Sequence, residues 1–373
     1  MMKAGWQMKT LGDACDKASS NVAQNQLKDD VGEYPIFGAS GLIKNVSFYH
    51  HDKPYLSIVK DGSGVGRVTK MDAFTSVIGT LQYILPKDGI DLDYLNYSLM
   101  SVDFKKYVAG AAIPHIYFKD YKNEPFLWMP LPEQQRIVTI LDEVFAGIAT
   151  ATANAEKNLA NARELFESTL QLVFANKGNG WIKKSLTDVC EIASVLVDPR
   201  GKEYLDMLHV GGANIESKSG RLLDLKTARE EGLISGKFVF DESMVLYSKI
   251  RPYLMKVARP DFQGVCSADI YPLSVKTGQL DRDFLFYLLF SPEFTSYANA
   301  GSARAGMPKV NRDHLFAFCC HFPTLAKQRE YSVKLDELSA ETKKLQAIYQ
   351  QKLIALNELK KSILNQAFSG QLQ

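Results

Sequence analysis

The chain repeats itself, and the repeat limits what it can fold into. Pro132-Glu133-Gln134-Gln135-Arg136, followed by Leu141-Asp142-Glu143, opens an apolar-periodic segment that runs to Phe174. Lys327-Gln328-Arg329, followed by Leu335-Asp336-Glu337, opens a second that runs to Phe368. Shifted by 194 residues, Leu141, Glu143, Leu159, Glu164, Leu165, Leu170 and Phe174 fall on Leu335, Glu337, Leu353, Glu358, Leu359, Leu364 and Phe368. The stretches before these segments repeat as well. Gly5-Trp6, Leu11, Asp13 and Cys15 recur as Gly180-Trp181, Leu186, Asp188 and Cys190 at an offset of 175; Asp91, Asp93, Leu95, Tyr97 and Phe104 recur as Asp281, Asp283, Leu285, Tyr287 and Phe294 at an offset of 190. The plan is a tandem: globular unit, long helix, globular unit, long helix. A one-domain enzyme gives no reason for this plan, whereas a reader of two separated sites does.

The boundaries follow from the repeat: a recognition unit over 1–131, a helix over 132–177, a second unit over 178–322 and a second helix over 323–373. In the first helix Ile137, Leu141, Val144, Ile148, Ala151, Ala155, Leu159, Ala162, Phe166, Thr169 and Val173 step mostly by three and four, one stripe on an α-helix. The second carries Leu335, Leu338, Leu345, Tyr349, Leu353, Leu356, Ile363 and Ala367. Each spans roughly 40 residues, about 60 Å at 1.5 Å per residue, and a helix that long must bury its stripe. Lys and Arg against Asp and Glu number 3 and 6 over 132–176 but 8 and 5 over 323–373, so the helices carry opposite net charge. This suits an antiparallel coiled-coil pair with pseudo-two-fold symmetry, holding the two units at opposite ends.

Each unit reads as mixed α/β (α+β) with short strands. In the first, a strand-to-turn signal at 36–41 precedes a strand at Tyr55–Val59, the loop 60–67, a strand region at 76–85 and a helix from Asp91 to about Lys106. The second has the same order: Met244–Tyr247, the stretch 248–258, a strand run at 266–273, and a helix from Asp283 to about Tyr297. The scaffold repeats while the loops differ, as paired readers of two different sequences would.

The loop Lys60-Asp61-Gly62-Ser63-Gly64-Val65-Gly66-Arg67 lacks the GK[ST] of a phosphate loop and the strand–glycine–helix context of a dinucleotide site. A tight turn with exposed amides between two cations suits a phosphate backbone instead, which makes Lys60, Gly62, Ser63, Gly64 and Arg67 candidate DNA contacts. The competing reading is a purely structural turn. Lys249, Arg251, Tyr253 and Lys256 bring cations and an aromatic ring to the equivalent stretch, a mix that holds phosphates and stacks on bases. His115, Arg304 and Lys309 lie in a second pair of corresponding loops and are weaker candidates. His50-His51 with Lys53 reads equally well as an exposed loop.

Other classes find little support. No apolar run approaches the ~20 residues of a membrane span, and the N-terminus lacks the apolar core of a signal peptide, so the cytoplasm is the expected compartment. The five cysteines show no metal spacing and read as small buried thiols. No catalytic motif for proteolysis, esterolysis or amino-methyl transfer is present, so no catalytic residue and no cofactor is expected on this chain.

The motif Pro130-Leu131-Pro132-Glu133-Gln134-Gln135-Arg136-Ile137, the ending Ile363-Leu364-Asn365-Gln366-Ala367-Phe368-Ser369-Gly370, and the tandem plan resemble the specificity subunit of type I restriction-modification enzymes. The resemblance covers essentially the whole chain. Only the second copy departs from it: Pro323-Thr324-Leu325-Ala326-Lys327-Gln328-Arg329 lacks the Glu-Gln pair. It implies that each unit is a target recognition domain for half of a split DNA site. The helices form the spacer on which two modification subunits dock, with Gln135, Arg136, Gln328 and Arg329 at the helix starts as candidate contacts. S-adenosylmethionine is then bound by those partners, and translocating restriction subunits join them. Half-sites read from one side of the duplex are expected about one helical turn apart. Two alternatives stay open: an interaction scaffold with two ligand-binding modules on a coiled coil, and a methyltransferase fragment, which the missing motif disfavours.

Overall fold

In a computed structural model, residues 5–175, 178–192, 194–302 and 307–371 are described. The chain divides into two compact units, Met1–Lys157 with Gln350–Gln373, and Asn158–Tyr349. The division runs through both long helices, Leu131–Ala175 and Leu325–Phe368, so each unit holds the start of its own helix and the end of the other.

In the first unit a four-stranded antiparallel sheet runs in the order Cys15–Ser19, Leu81–Pro86, Tyr55–Val59, Val68–Met71. All five residues of Tyr55–Val59 are buried, as expected of a strand covered on both faces. A smaller sheet of Gly41–Val46, Tyr34–Gly38 and Ser76–Val77 lies beside it. The expected helix is shorter than the sequence suggested. It runs Leu92–Ser101, capped by Asp91, and a separate 3-10 turn follows at Phe104–Tyr107, because Asp103 caps a new start. The core joins Leu56, Ile58, Ile84, Leu95 and Leu99 to Ile137 and Leu141 of the first long helix and Ala367 of the second.

The second unit rebuilds this plan. Its four-stranded sheet is Cys190–Glu191, Ile270–Val275, Val245–Ser248, Val257–Ala258. The expected helix to Tyr297 is here two helices, Arg282–Leu288 and Pro292–Ala300, since Ser291 caps and Pro292 occupies the first turn. In place of the small sheet stands a five-stranded one: Leu196–Val197, Lys237–Phe240, Gly264–Ser267, Leu208–Val210, Lys226–Thr227. The core joins Leu273, Phe284 and Leu285 to Leu170 and Phe174 of the first long helix and Leu335 of the second.

Within each unit the start of one long helix therefore shares a core with the end of the other, which is antiparallel packing. The aromatic contacts repeat too: Tyr94 meets Phe368 at 5.2 Å in the first unit, and Phe284 meets Phe174 at 5.1 Å in the second. The stripe on the first helix is as the period implies, with Ile137, Leu141, Ala155 and Ala162 all buried. On the second helix Leu345 does not belong to it. Leu345 is exposed and Thr342 takes the inward place, 2% exposed, its hydroxyl donating to the Leu338 carbonyl at 2.8 Å. The first long helix is also long and apolar enough, by length and composition, to cross a membrane, against the expectation that no stretch was. A search for unbroken apolar runs misses it because Asp142 and Glu143 interrupt an otherwise Ile-, Val-, Ala- and Thr-rich stretch.

Four cysteines are buried as expected, and burial pushes the thiols of Cys15, Cys190 and Cys266 up to about 12. Cys319 is instead exposed, because it opens the short edge strand Cys319–Phe322.

Candidate nucleic-acid interface

The strands Tyr55–Val59 and Val245–Ser248 end at equivalent points, and the backbone beyond each is tied down in the same way. In the first unit the Lys60 amide donates to the Thr80 carbonyl (3.0 Å), the Ile116 amide to the Lys60 carbonyl (2.9 Å), and the Gly62 amide to the Pro114 carbonyl (2.8 Å). In the second, the Lys249 amide donates to the Asp269 carbonyl (3.0 Å), the Val310 amide to the Lys249 carbonyl (2.9 Å), and the Arg251 amide to the Pro308 carbonyl (2.9 Å). Two hydrogen bonds thus clamp a strand-end loop to a second loop and a third ties it to the residue before the neighbouring strand, twice, in sequences that share little beyond Lys60/Lys249 and Pro114/Pro308. The place after the clamp demands a positive φ in both: Gly62 has +92° and Arg251 +50°.

The clamp gathers the first unit's candidates. Lys60, Gly62, Ser63, Gly64 and Arg67 lie on one loop, and His115 bridges to Asp61 from the other. Ser63, Gly64 and Arg67 are exposed. Gly66 is required for packing, since a Cβ there would lie 2.6 Å from Phe104. The expectation of free amides needs correcting at Gly62, whose N–H is used by Pro114. Arg67 is also engaged, its guanidinium donating to the Ala39 carbonyl, and Lys60 lies 3.3 Å from the Asp61 carboxylate, a solvent-screened pair worth little.

The second unit brings Arg251, Tyr253, Lys256 and Lys309 to one corner, with an isolated bridge between Ile250 and Lys309. Arg304 lies outside the described residues. Two of the cations are not available as expected. Lys249 is 9% exposed, with Nζ on the Ala268 carbonyl at 2.5 Å and 3.2 Å from Asp269, and Lys256 donates to the Gly212 carbonyl. Both ammonium groups meet carbonyls that end loops of their own unit, so they hold the corner together. Arg251 is exposed and Tyr253 is 51% exposed.

At the helix starts the four candidate contacts differ in exposure. Carrying the 194-residue offset through sets Gln134, not Gln135, opposite Gln328. Both are buried, at 0% and 1% exposure. Gln134 accepts from the Asp91 amide (2.8 Å) and donates to the Gly89 and Met129 carbonyls (2.9 and 2.8 Å). Gln328 accepts from the Asp281 amide (2.8 Å) and donates to the Pro323 carbonyl (2.9 Å). Gln328 therefore fastens its helix to its own domain and is no surface for a partner. Gln135 and Arg329 are exposed, and Arg136 is half-buried with its Nε 3.2 Å from Glu133. Further repeated ties escaped the sequence reading: Tyr97 donates to Asp142 and Tyr287 to Asp336, each at 2.5 Å. Their visible signal was the double recurrence of Tyr and Asp at fixed offsets. His50 and His51 are not a loose loop either. Nδ1 of His50 lies 2.7 Å from the Tyr83 hydroxyl and the His51 ring 4.5 Å from the Tyr83 ring, and burial holds both imidazoles below their ordinary range.

This twice-built scaffold has its match among known families. The family model described as type I restriction modification DNA specificity domain matches this chain twice, over residues 3–160 and 178–358. The chain belongs to this family. The specificity subunit of the type I restriction enzyme EcoDI from Escherichia coli is 27% identical over 98% of this chain and 88% of its own length. Among solved structures, a chain from work on complex assembly and conformational transition of the type I R-M system superposes with a TM-score of 0.74, at 16% identity and 100% of both chains. The HsdS subunit from Thermoanaerobacter tengcongensis follows at a TM-score of 0.58 and 16% identity, over 100% of this chain and 98% of that one. At such identities the structures show the fold: two α/β domains in tandem, each followed by a long helix. The chain is thus a DNA sequence-specificity subunit of the type I restriction-modification class, with two specificity domains for a bipartite site.

Proposed function

We propose that the recognition domains 1–131 and 178–322 each read one half of the site through the clamped loop pair, and that the helices 132–177 and 323–373 set the distance between the halves. The observation that carries this reading is the clamp itself. The same three backbone hydrogen bonds hold loops of different side chains, so the scaffold is fixed and the reading surface is free to vary. In the first domain Ser63, Gly64, Arg67 and His115, with Lys60 and Gly62 behind them, face the duplex; in the second, Arg251, Tyr253 and Lys309 do. Lys249 and Lys256 act by shaping the corner. The chain itself is non-catalytic. It works in the cytoplasm with double-stranded DNA, two modification subunits that bind S-adenosylmethionine, and restriction subunits. Gln135, Arg136 and Arg329, on the outer side of the helix starts, are the proposed contacts for the modification subunits. The modest net charge of +2 fits a chain whose partners share the phosphate contacts.

The test is a map of adenine methylation in cells expressing this chain with its modification subunit. The expected result is a split motif with a fixed gap that disappears when this gene is deleted. Methylation unchanged by the deletion, with no sequence-specific DNA binding by the reconstituted complex, would favour the scaffold reading.

A further inference from the structure

The corner from Arg251 to Met255 concentrates backbone strain. Among the described residues five other than glycine have a positive φ, and three of them meet here: Arg251 at +50°, Met255 at +48°, and Lys218 at +61°, whose amide donates to the Met255 carbonyl at 3.2 Å. The left-handed region is uncommon for any residue with a Cβ, and strain that persists in a fold clusters where it serves a function. The fold does not require arginine at this place. The first unit fills it with Gly62 and makes the same three hydrogen bonds without a side chain.

We infer that Arg251 reads a base, guanine by the chemistry of its guanidinium, in the half-site addressed by the second unit; this rests on the function proposed above. Guanine presents O6 and N7 side by side in the major groove, and the guanidinium fork matches them with two parallel donors. Such a contact needs a fixed direction of approach, which a pinned backbone supplies. The Arg251 amide is held by Pro308, and the buried ring of Pro252 follows at once in the short 3-10 turn Pro252–Leu254. A phosphate contact needs no such fixing, because phosphate oxygens line the whole duplex and a flexible cation on relaxed backbone reaches them. The charges around the corner agree. Lys249 and Lys256 are turned onto carbonyls of their own unit, whereas Arg251 is exposed and its guanidinium has no partner among the described residues. Tyr253, half exposed on the same turn, is placed to pack beside the base that Arg251 reads.

The experiment uses the reconstituted complex of this full chain with its modification subunit, comparing wild type with Arg251→Gly and Arg251→Lys. Glycine accepts the left-handed backbone, so Arg251→Gly is expected to melt no lower than wild type, which keeps the test free of misfolding. Methylation is mapped by sequencing, and affinity is measured on duplexes varied base by base across both half-sites. The expected result is that one guanine position in a single half-site loses about tenfold to hundredfold of its discrimination in both variants, while the other half-site is unchanged. Arg251→Lys keeps the salt dependence of wild type. If instead both variants keep the wild-type motif, and Arg251→Gly only weakens binding to all sequences with a salt slope smaller by about one, Arg251 is a phosphate contact and the inference is overturned. A wild-type complex with no bipartite motif would overturn the proposed function and this inference with it. A wild-type motif that neither variant moves overturns the inference alone.

Discussion

The two units differ least where their backbones must be satisfied and most where nothing buried is at stake. Gln134 and Gln328, the capping Asp91 and Asp281, and the three hydrogen bonds of the loop clamp recur at matched places. Each satisfies backbone groups that are wholly or partly removed from water, and an unpaired buried amide or carbonyl is expensive. The side chains on the clamped loops do not recur. One unit carries glycines there and the other a strained arginine, a tyrosine and inward-turned lysines. The smaller sheet of one unit and its counterpart in the other differ likewise, three strands against five. Duplication thus leaves a trace in polar anchoring more durable than in surface composition.

That comparison can be attacked directly. The largest effect is expected from Leu141→Ala and Leu335→Ala, equivalent positions that are 0% and 1% exposed. Each should lower stability by about 2–5 kcal/mol in denaturant melts, and a cost confined to one of the two would break the equivalence of the helix seams. Next come Gln134→Leu and Gln328→Leu. Each leaves buried backbone partners unmatched, at about 1–3 kcal/mol. Gln134, with three bonds against the two of Gln328, should cost more; the reverse order in thermal melts would show that the two fasteners are not alike. The smallest effect concerns acid. Burial depresses His50 and His51 in the first unit and His209 in the second, where Glu231 at 2.8 Å pulls the other way. Below the ordinary histidine value of about 6.5, the unfolded chain takes up protons that the fold refuses, so stability falls as pH falls through that window toward the folded values. Melting temperature should therefore drop between pH 7.5 and 5.5, and less so in His50→Gln/His51→Gln. A rise on acidification would contradict the lowered direction of these imidazoles.

Much of this was legible beforehand because helical period and internal repetition are long-range signals. The stripe from Ile137 to Val173 needed only the positions of apolar residues, and the antiparallel pairing needed the tandem plan and the opposite charge of the two helices besides. What failed was local. Gln328 reads as a polar residue open to a partner, although the register that the leucines impose sets it on Gln134, and both are buried. Leu345 reads as a seam residue because it is a leucine, although it is exposed while Thr342, one turn before it, is buried. Lys249 and Lys256 looked like DNA contacts because a sequence shows a charge and not whether a carbonyl lies within reach. The five-stranded sheet escaped because strands as short as Leu196–Val197 and Lys226–Thr227 have no period to detect. Arg251 could be suspected as a cation, but its left-handed backbone becomes visible only beside Gly62.

The division of the helices has a consequence for how the protein is made. Ile363, Ala367 and Phe368, near the end of the chain, pack into the core of the unit that begins at the N-terminus. A ribosome that has finished the first recognition domain has not yet made the residues that close it, and the whole of Asn158–Tyr349 must first emerge. At roughly 5–20 residues per second, that wait is on the order of ten seconds or more. During it the faces of Leu141 and Tyr94 that later meet the last helical turns stay open to water. A chain interrupted before Ile363 would therefore lack residues that close the core of its first unit.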